Sequence, residues 1–121
     1  MPDPLIRVTA MPADTNPYGG IFGGWLMSQM ALAAGALASR HSKGKAVVVA
    51  ATDLAFPGAM AVGDELSVYA ELVREGTTSM TIRARAEGRE RDGDATFEVA
   101  SGVFTFVAVT EDNKKRSVNE R

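Results

Sequence analysis

Between Phe22 and Ala38 the chain runs seventeen residues without a charge, FGGWLMSQMALAAGALA, and the helix this implies extends from about Phe22 to Arg40. A helix that is apolar on every side belongs inside a membrane or inside a protein. The uncharged run is only as long as the shortest spanning helices, which need roughly 17 to 25 residues. Ser28, Gln29 and several glycines also interrupt it. Burial in a folded core is the better reading, with no membrane partner. The rest of the chain must then wrap one helix that has no polar face.

The rest of the chain reads as strands. Leu5 to Ala10 makes a short first strand, and Met11 to Gly20 a loop with Pro12, Asp14, Asn16, Pro17, Gly19 and Gly20 as turn formers. His41 and the Ser42-Lys43-Gly44 group end the helix, with basic side chains where its dipole favours them. Ala46 to Phe56 is an apolar, β-branched run expected to be buried on both faces, broken by Pro57-Gly58 and turned again at Gly63-Asp64. Leu66, Val68, Ala70 and Leu72 alternate with Ser67, Tyr69, Glu71 and Val73. Met80, Ile82, Ala84 and Ala86 alternate with Thr81, Arg83, Arg85 and Glu87. Glu75-Gly76 and Arg91-Asp92-Gly93-Asp94 are the turns between strands. A last strand covers about Ala95 to Val109, and Thr110 to Arg121 is a charged tail expected to fray.

The order is a strand, a long helix and a meander of four antiparallel strands. This is an α+β fold in which a strongly curved, five-stranded antiparallel sheet wraps one central helix. Residues 1–110 form the single domain and residues 111–121 the tail. The helix alanines and glycines let the sheet approach closely, and the uncovered sheet face and edges call for a homodimer at least.

Composition removes several functions. Among 121 residues there is no cysteine and one histidine, and the net charge is −2. Disulfides, thiolate metal sites and a cysteine nucleophile are excluded, most histidine metal clusters go with them, and no metal is expected. The charge gives no electrostatic reason to bind nucleic acid. The first residues lack the basic-then-apolar pattern of a secretory signal, so a cytoplasmic location is the expectation.

Chemistry concentrates in Asn16 to Gly35, NPYGGIFGGWLMSQMALAAG, where a glycine-rich turn runs into the helix. Such a junction presents backbone N–H groups to an oxyanion or a phosphate. Four blocks carry a resemblance that covers nearly the whole chain: MPADTNPYGGIFGGWLMSQM (Met11 to Met30), FPGAMAVGDEL (Phe56 to Leu66), GTTSM (Gly76 to Met80) and FVAV (Phe106 to Val109). In this order they resemble the hotdog-fold acyl-CoA thioesterases, and most closely their YciA-like branch. The resemblance implies a hotdog dimer, by family habit often a trimer of dimers, acting on an acyl-CoA substrate. Coenzyme A would enter as part of that substrate, and no separate cofactor is implied.

The resemblance also implies roles. Asn16 matches a loop asparagine that positions the thioester or the attacking water. Gly23 and Gly24 match the double glycine that opens the helix, where the Gly24 N–H would polarise the thioester carbonyl. Early helical N–H groups have no intrahelical partner, and the dipole there favours developing negative charge. Gly76, Thr77, Thr78 and Ser79 match a turn lying along the pantetheine arm of coenzyme A.

One position departs from the pattern. Where these relatives carry the catalytic aspartate, directly after the MSQM stretch, this chain has Ala31. The position lies two helical turns past Gly24 and on the same side. A methyl group there neither activates water nor attacks a thioester.

Asp53, inside AVVVAATDLAF, is the candidate replacement, because an ionised carboxylate within an apolar strand is costly and such acids serve as general bases. The alternative is an Asp53 that faces solvent or a dimer partner, or caps a bulge. Ser28 has no histidine placed to activate it, and a hydroxyl bonded back to the helix is its ordinary role. His41 suits capping of carbonyls better than catalysis; with Arg40 and Lys43, or through Lys114-Lys115-Arg116, the chain has cations for a CoA phosphate. Asp14 and Glu65 read as surface groups, and Trp25, Met27 and Met30 as core or acyl-pocket lining.

Three functions stay open. They are a thioesterase that releases CoA and a carboxylic acid, with its carboxylate moved to Asp53 or working slowly through Asn16, the helix N-terminus and ordered water; an acyl-CoA-binding module with weak or no hydrolysis; and an active enzyme into which Ala31 was introduced to trap a ligand. A purely structural protein has no use for a Gly-Gly helix start beside an asparagine loop.

Overall fold

The computed structural model describes residues 3–119. Strand β1 (Ile6–Thr9) leads through a single 3-10 turn (Pro12–Asp14) into helix α1 (Gly23–Ser42). Strands β2 (Ala46–Ala55), β3 (Glu65–Glu75), β4 (Ser79–Arg89) and β5 (Thr96–Ala108) follow. All five strands pair antiparallel in one sheet of order β1-β3-β4-β5-β2. No helix among the described residues is long and apolar enough to cross a membrane.

The sheet order corrects the expected four-strand meander. The β3–β4 turn is short, with the Gly76 N–H bonded to Ser79 O at 2.8 Å, and short turns force neighbouring strands to pair. The link from β2 to β3 spans residues 56–64 and contains Pro57, Gly58 and Gly63, so nothing holds those two strands together. β2 instead joins the free side of β5, from Ala46 opposite Ala108 to Ala55 opposite Ser101. It is therefore an edge strand. The expectation that it is buried on both faces fails within one chain, where Val47, Val48, Val49 and Leu54 are all exposed.

The concave face of the sheet holds the helix. Met30, Ala33, Ala34 and Ala38 of α1 pack with Leu66 and Val68 of β3, Met80 and Ile82 of β4 and Phe104 and Phe106 of β5. Each large side chain buried this way contributes about 1.5 to 3 kcal/mol. Small residues set the approach distance: a Cβ added to Gly35 would lie 3.3 Å from the Phe106 ring, tighter than packed side chains tolerate without moving. Only part of the helix is covered, however. Ser28, Leu32 and Ala36, spaced by four, form an exposed stripe, with Leu32 at 62% exposure beside the open edge of β2.

The helix ends two residues beyond the expected Arg40. Ser42 is fully buried, its hydroxyl donating to Ala38 O at 2.9 Å, and Lys43 closes the helix in the left-handed conformation (φ 56°) with its N–H on Ser39 O. The tail is not frayed where it is described. Lys115 bridges to Val109, the Arg116 N–H donates to Ala108 O at 3.0 Å, and the side chain of Val118 is 1% exposed. Met1, Pro2, Glu120 and Arg121 lie outside the described residues.

Candidate active site

The loop before the helix is folded by its own polar groups. Thr15 and Ile21 form an isolated antiparallel bridge, and within it the Asn16 N–H donates to Gly20 O at 2.7 Å. The Asn16 Oδ1 accepts the Tyr18 N–H at 2.8 Å, an Asx turn, while Gly19 supplies the positive φ of 95° that the bend requires. The Phe22 N–H is taken by Asp14 O at 2.8 Å and the Ile21 N–H by Met60 O at 3.1 Å. These bonds fix the direction in which the chain enters α1. They also commit one side of the Asn16 carboxamide and leave Nδ2 without an acceptor among the described residues.

The helix then starts without a cap. Phe22 occupies the cap position in extended conformation and offers no side-chain acceptor. Its carbonyl accepts the Trp25 N–H at 3.0 Å and the Leu26 N–H at 3.3 Å, whereas the N–H groups of Gly23 and Gly24 have no partner among the described residues. Two aromatic rings flank these donors. A Cβ on Gly23 would touch the Phe56 ring at 3.7 Å, and one on Gly24 would lie 2.9 Å from Cζ of Phe22, with another ring carbon closer still. Both rings are about half exposed. The result is an apolar rim around two backbone donors at the positive end of the helix dipole, a place where an oxyanion is stabilised.

Ala31 lies two turns farther on, half-buried, in an open groove of 570 Å³ between α1 and the β2–β5 edge. Leu32 and Gly35 of the helix, Val47 and Val48 of β2 and Phe106 of β5 line it as well. Among the described residues no carboxylate lines this groove.

Asp53 is where the sequence reading needs most correction. It sits at the bulge of β2, where the register with β5 shifts between Thr52 and Ala55, and its backbone is left-handed with φ 54°. Its side chain is exposed rather than enclosed, because it belongs to the outermost strand. It makes no hydrogen bond or ion pair with a described residue. Asp14 and Asp64, by contrast, are occupied: Asp14 Oδ2 accepts the Met11 N–H at 2.9 Å, and Asp64 Oδ2 accepts the Ala61 N–H at 3.0 Å.

The turn Gly76–Ser79 lies at the other end of the molecule. His41 Nε2 contacts Glu75 Oε1, which pins the end of β3 to the C-terminal end of the helix, and Gly76 follows directly. From Gly24 to His41 the helix rises roughly 25 Å. Gly23 and Gly24 thus open the helix at one end with Asn16 in the loop that leads into it, while Gly76, Thr77, Thr78 and Ser79 are not brought to them within one chain. His41 therefore ties helix to sheet instead of capping carbonyls. Ser28 Oγ donates back to Trp25 O at 2.8 Å, as an ordinary helix serine does. Arg116 is engaged with the helix end, with its Nη1 on Ser42 O at 3.1 Å and its Nε on Val109 O at 2.9 Å. Glu65 pairs with Arg89 at 3.1 Å. Among the described residues no group of three or more acidic or histidine side chains is placed to hold a metal ion.

With this geometry in view, residues 18–93 match the family model described as Thioesterase superfamily. The chain belongs to the Thioesterase superfamily. An uncharacterized acyl-CoA thioester hydrolase of Zymomonas mobilis is 49% identical over 112 residues, covering 93% of this chain and 75% of the relative. The acyl-CoA thioester hydrolase YciA of Escherichia coli is 38% identical over 120 residues, covering 96% and 90%. Among solved structures, Cj0915, a hexameric hotdog fold thioesterase of Campylobacter jejuni, superposes with a TM-score of 0.90 at 34% identity, over 96% of this chain and 90% of its own. This superfamily member accordingly has the hotdog fold that the sequence resemblance implied, one helix held by a curved five-stranded antiparallel sheet.

Proposed function

We propose that the protein is an acyl-CoA thioester hydrolase that works as a homo-oligomer, a dimer at least. The observation that carries this reading is the uncapped start of α1, where among the described residues the N–H groups of Gly23 and Gly24, and Nδ2 of Asn16 in the adjoining loop, have no acceptor. A thioester carbonyl placed there accepts from Gly24 N–H, and the same donor meets the oxyanion as water adds to the carbonyl carbon. Collapse of that intermediate breaks the C–S bond, leaving a carboxylic acid and the CoA thiolate, which takes up the proton.

Symmetry supports the oligomer. The helix runs antiparallel to β2, since Phe56 lies beside Gly23 while Val47 and Val48 lie beside Ala31 and Ala36. Pairing two β2 edges antiparallel about a two-fold axis puts the 76–79 turn of one copy level with the Gly23–Gly24 donors of the other. It also covers Val47, Val48, Val49 and Leu32. The pantetheine arm then runs between the turn of one copy and the donors of the other. Three such dimers make the trimer of dimers that suits hexameric relatives. Asp53, exposed on this edge and uncommitted, is the carboxylate available to deprotonate water.

Ala31 favours a second reading, in which the site binds acyl-CoA and turns it over slowly or not at all, because its methyl supplies no base. Thiol release from a panel of acyl-CoAs, measured for this chain and for Ala31→Asp, separates the two. A parent that is active and gains little from Ala31→Asp supports the hydrolase with a displaced base, and Asp53→Asn must then lower its rate. A silent parent with an active Ala31→Asp variant leaves a binding site without its base. If neither protein releases thiol above background, the hydrolase reading is wrong.

A further inference from the structure

The tail expected to fray is instead tied to the turn that the substrate reading places along the pantetheine arm. The Val118 N–H donates to Thr77 O at 2.8 Å, and on the other side of the turn the Ala108 N–H donates to Thr78 O, also at 2.8 Å. The Val118 side chain is part of the core. Two residues earlier, the Arg116 guanidinium reaches Ser42 O at 3.1 Å, Ser42 Oγ at 3.3 Å, Lys45 O at 3.3 Å and Val109 O at 2.9 Å. A short stretch of tail thus spans the end of α1, the start of β2 and the 76–79 turn. Thr77 itself is exposed, and its loop is only three residues long between β3 and β4. Without the tail, one of the two outside bonds that hold its carbonyl groups in place is gone.

We propose that Arg116 to Val118 form a brace that positions the Gly76–Ser79 turn for the substrate, making the C-terminal segment a determinant of acyl-CoA affinity. Val118 acts through Thr77 and is a positioning residue. The inference rests on the acyl-CoA reading, and it concerns binding, so it holds whether or not Ala31 permits turnover.

The test uses the full chain, a chain ending at Ser117, Val118→Pro and Val118→Ala. Calorimetry measures binding of a non-hydrolysable acyl-CoA thioether, and thermal melting and amide exchange of the 76–80 segment are followed in parallel. Proline removes the N–H donor, whereas alanine keeps it and removes only packing. The brace requires that the shortened chain and Val118→Pro bind about fivefold to tenfold more weakly with faster exchange in the turn. Val118→Ala melts earlier but binds within about twofold of the parent, since its donor remains. Binding that is unchanged in Val118→Pro overturns the brace, as does an equal loss in Val118→Ala, which would assign the effect to packing. A parent that binds no thioether, although its turn is protected from exchange, removes the acyl-CoA reading and the ligand role of the brace together.

Discussion

At its C-terminal end α1 is sealed by a left-handed Lys43, a buried Ser42, an Arg116 guanidinium spread over Ser42, Lys45 and Val109, and a His41–Glu75 contact to the sheet. At its N-terminal end the same helix has, among the described residues, no side-chain cap and no partner for two backbone donors, beside the half-exposed rings of Phe22 and Phe56. A serine or aspartate in place of Phe22 would stabilise that end by about 1 kcal/mol. The difference separates two kinds of sequence signal. The C-terminal end is completed by this chain alone, whereas the N-terminal end and the neighbouring β2 edge stay open, which is what a site for ligand and partner requires.

The strongest way to break this comparison is to remove the partner. The double variant Leu32→Glu, Val48→Glu puts like charges on both sides of a two-fold β2 interface, where such juxtaposition costs several kcal/mol. Light scattering is expected to show a smaller assembly, and any thiol release of the parent, with its acyl-CoA affinity, falls at least about 100-fold because the 76–79 turn of the second copy is lost. An oligomer of unchanged size and activity would mean that the open edge of β2 is not the interface.

The next effect is local. Gly24→Pro deletes one donor at a position in the first helical turn where proline is tolerated. Where the parent or its Ala31→Asp form hydrolyses thioesters, this variant should lose roughly 100-fold in kcat, the usual effect of losing an oxyanion donor. Gly24→Ala retains the N–H and has only to push aside the exposed Phe22 ring, so its loss should be far smaller. Equal losses in the two variants would show that space near Phe22, not the N–H, matters at Gly24.

How much of this was legible in the sequence follows the same division. Residues 22–38 announced a helix needing cover, and the alternation of Met80, Ile82, Ala84 and Ala86 announced β4, because both patterns are local. The placement of β2 at the far edge was not legible, since it depends on a long link that leaves pairing to tertiary contacts. The uncapped helix start at Gly23 and Gly24 was legible because the glycine pair follows directly on a turn-rich loop. The burial expected around Asp53 misled for a physical reason: an apolar β-branched run looks the same whether it is buried in a core or left at an open sheet edge. The tail misled in the opposite way, because KKR reads as solvated while the Arg116 stem and guanidinium are spent on backbone carbonyls. Only Val118, one apolar residue among charges, hinted at docking.

The sealed end should respond first in stability. Arg116→Ala leaves the carbonyls of Ser42, Lys45 and Val109 without that donor in a half-buried place. A loss of about 2 kcal/mol is expected, lowering the melting temperature by several degrees. Arg116→Lys should recover only part of it, because an ammonium cannot reproduce the planar fork. A melting temperature unchanged in Arg116→Ala would mean that water seals this end as well as the tail does.

The smallest effect is the sharpest test of that sealing. Ser42 is 0% exposed; its hydroxyl donates to Ala38 O at 2.9 Å and accepts from Arg116 Nη2 at 3.3 Å. Ser42→Ala leaves a methyl of similar size, and Arg116 keeps its bonds to Ser42 O and Lys45 O, so a loss near 1 kcal/mol is expected. If hydroxyl and guanidinium act as one unit, the losses in Ser42→Ala and Arg116→Ala will add to more than the loss in the double variant. Strict additivity would mean that Arg116 holds the helix end through backbone carbonyls alone, and that the buried hydroxyl serves only its own helix. Either way the Gly24 end should be indifferent, with the same response of kcat to Gly24→Pro measured in the Ser42→Ala background. A changed response there would show that the two ends, some 25 Å apart along α1, are coupled.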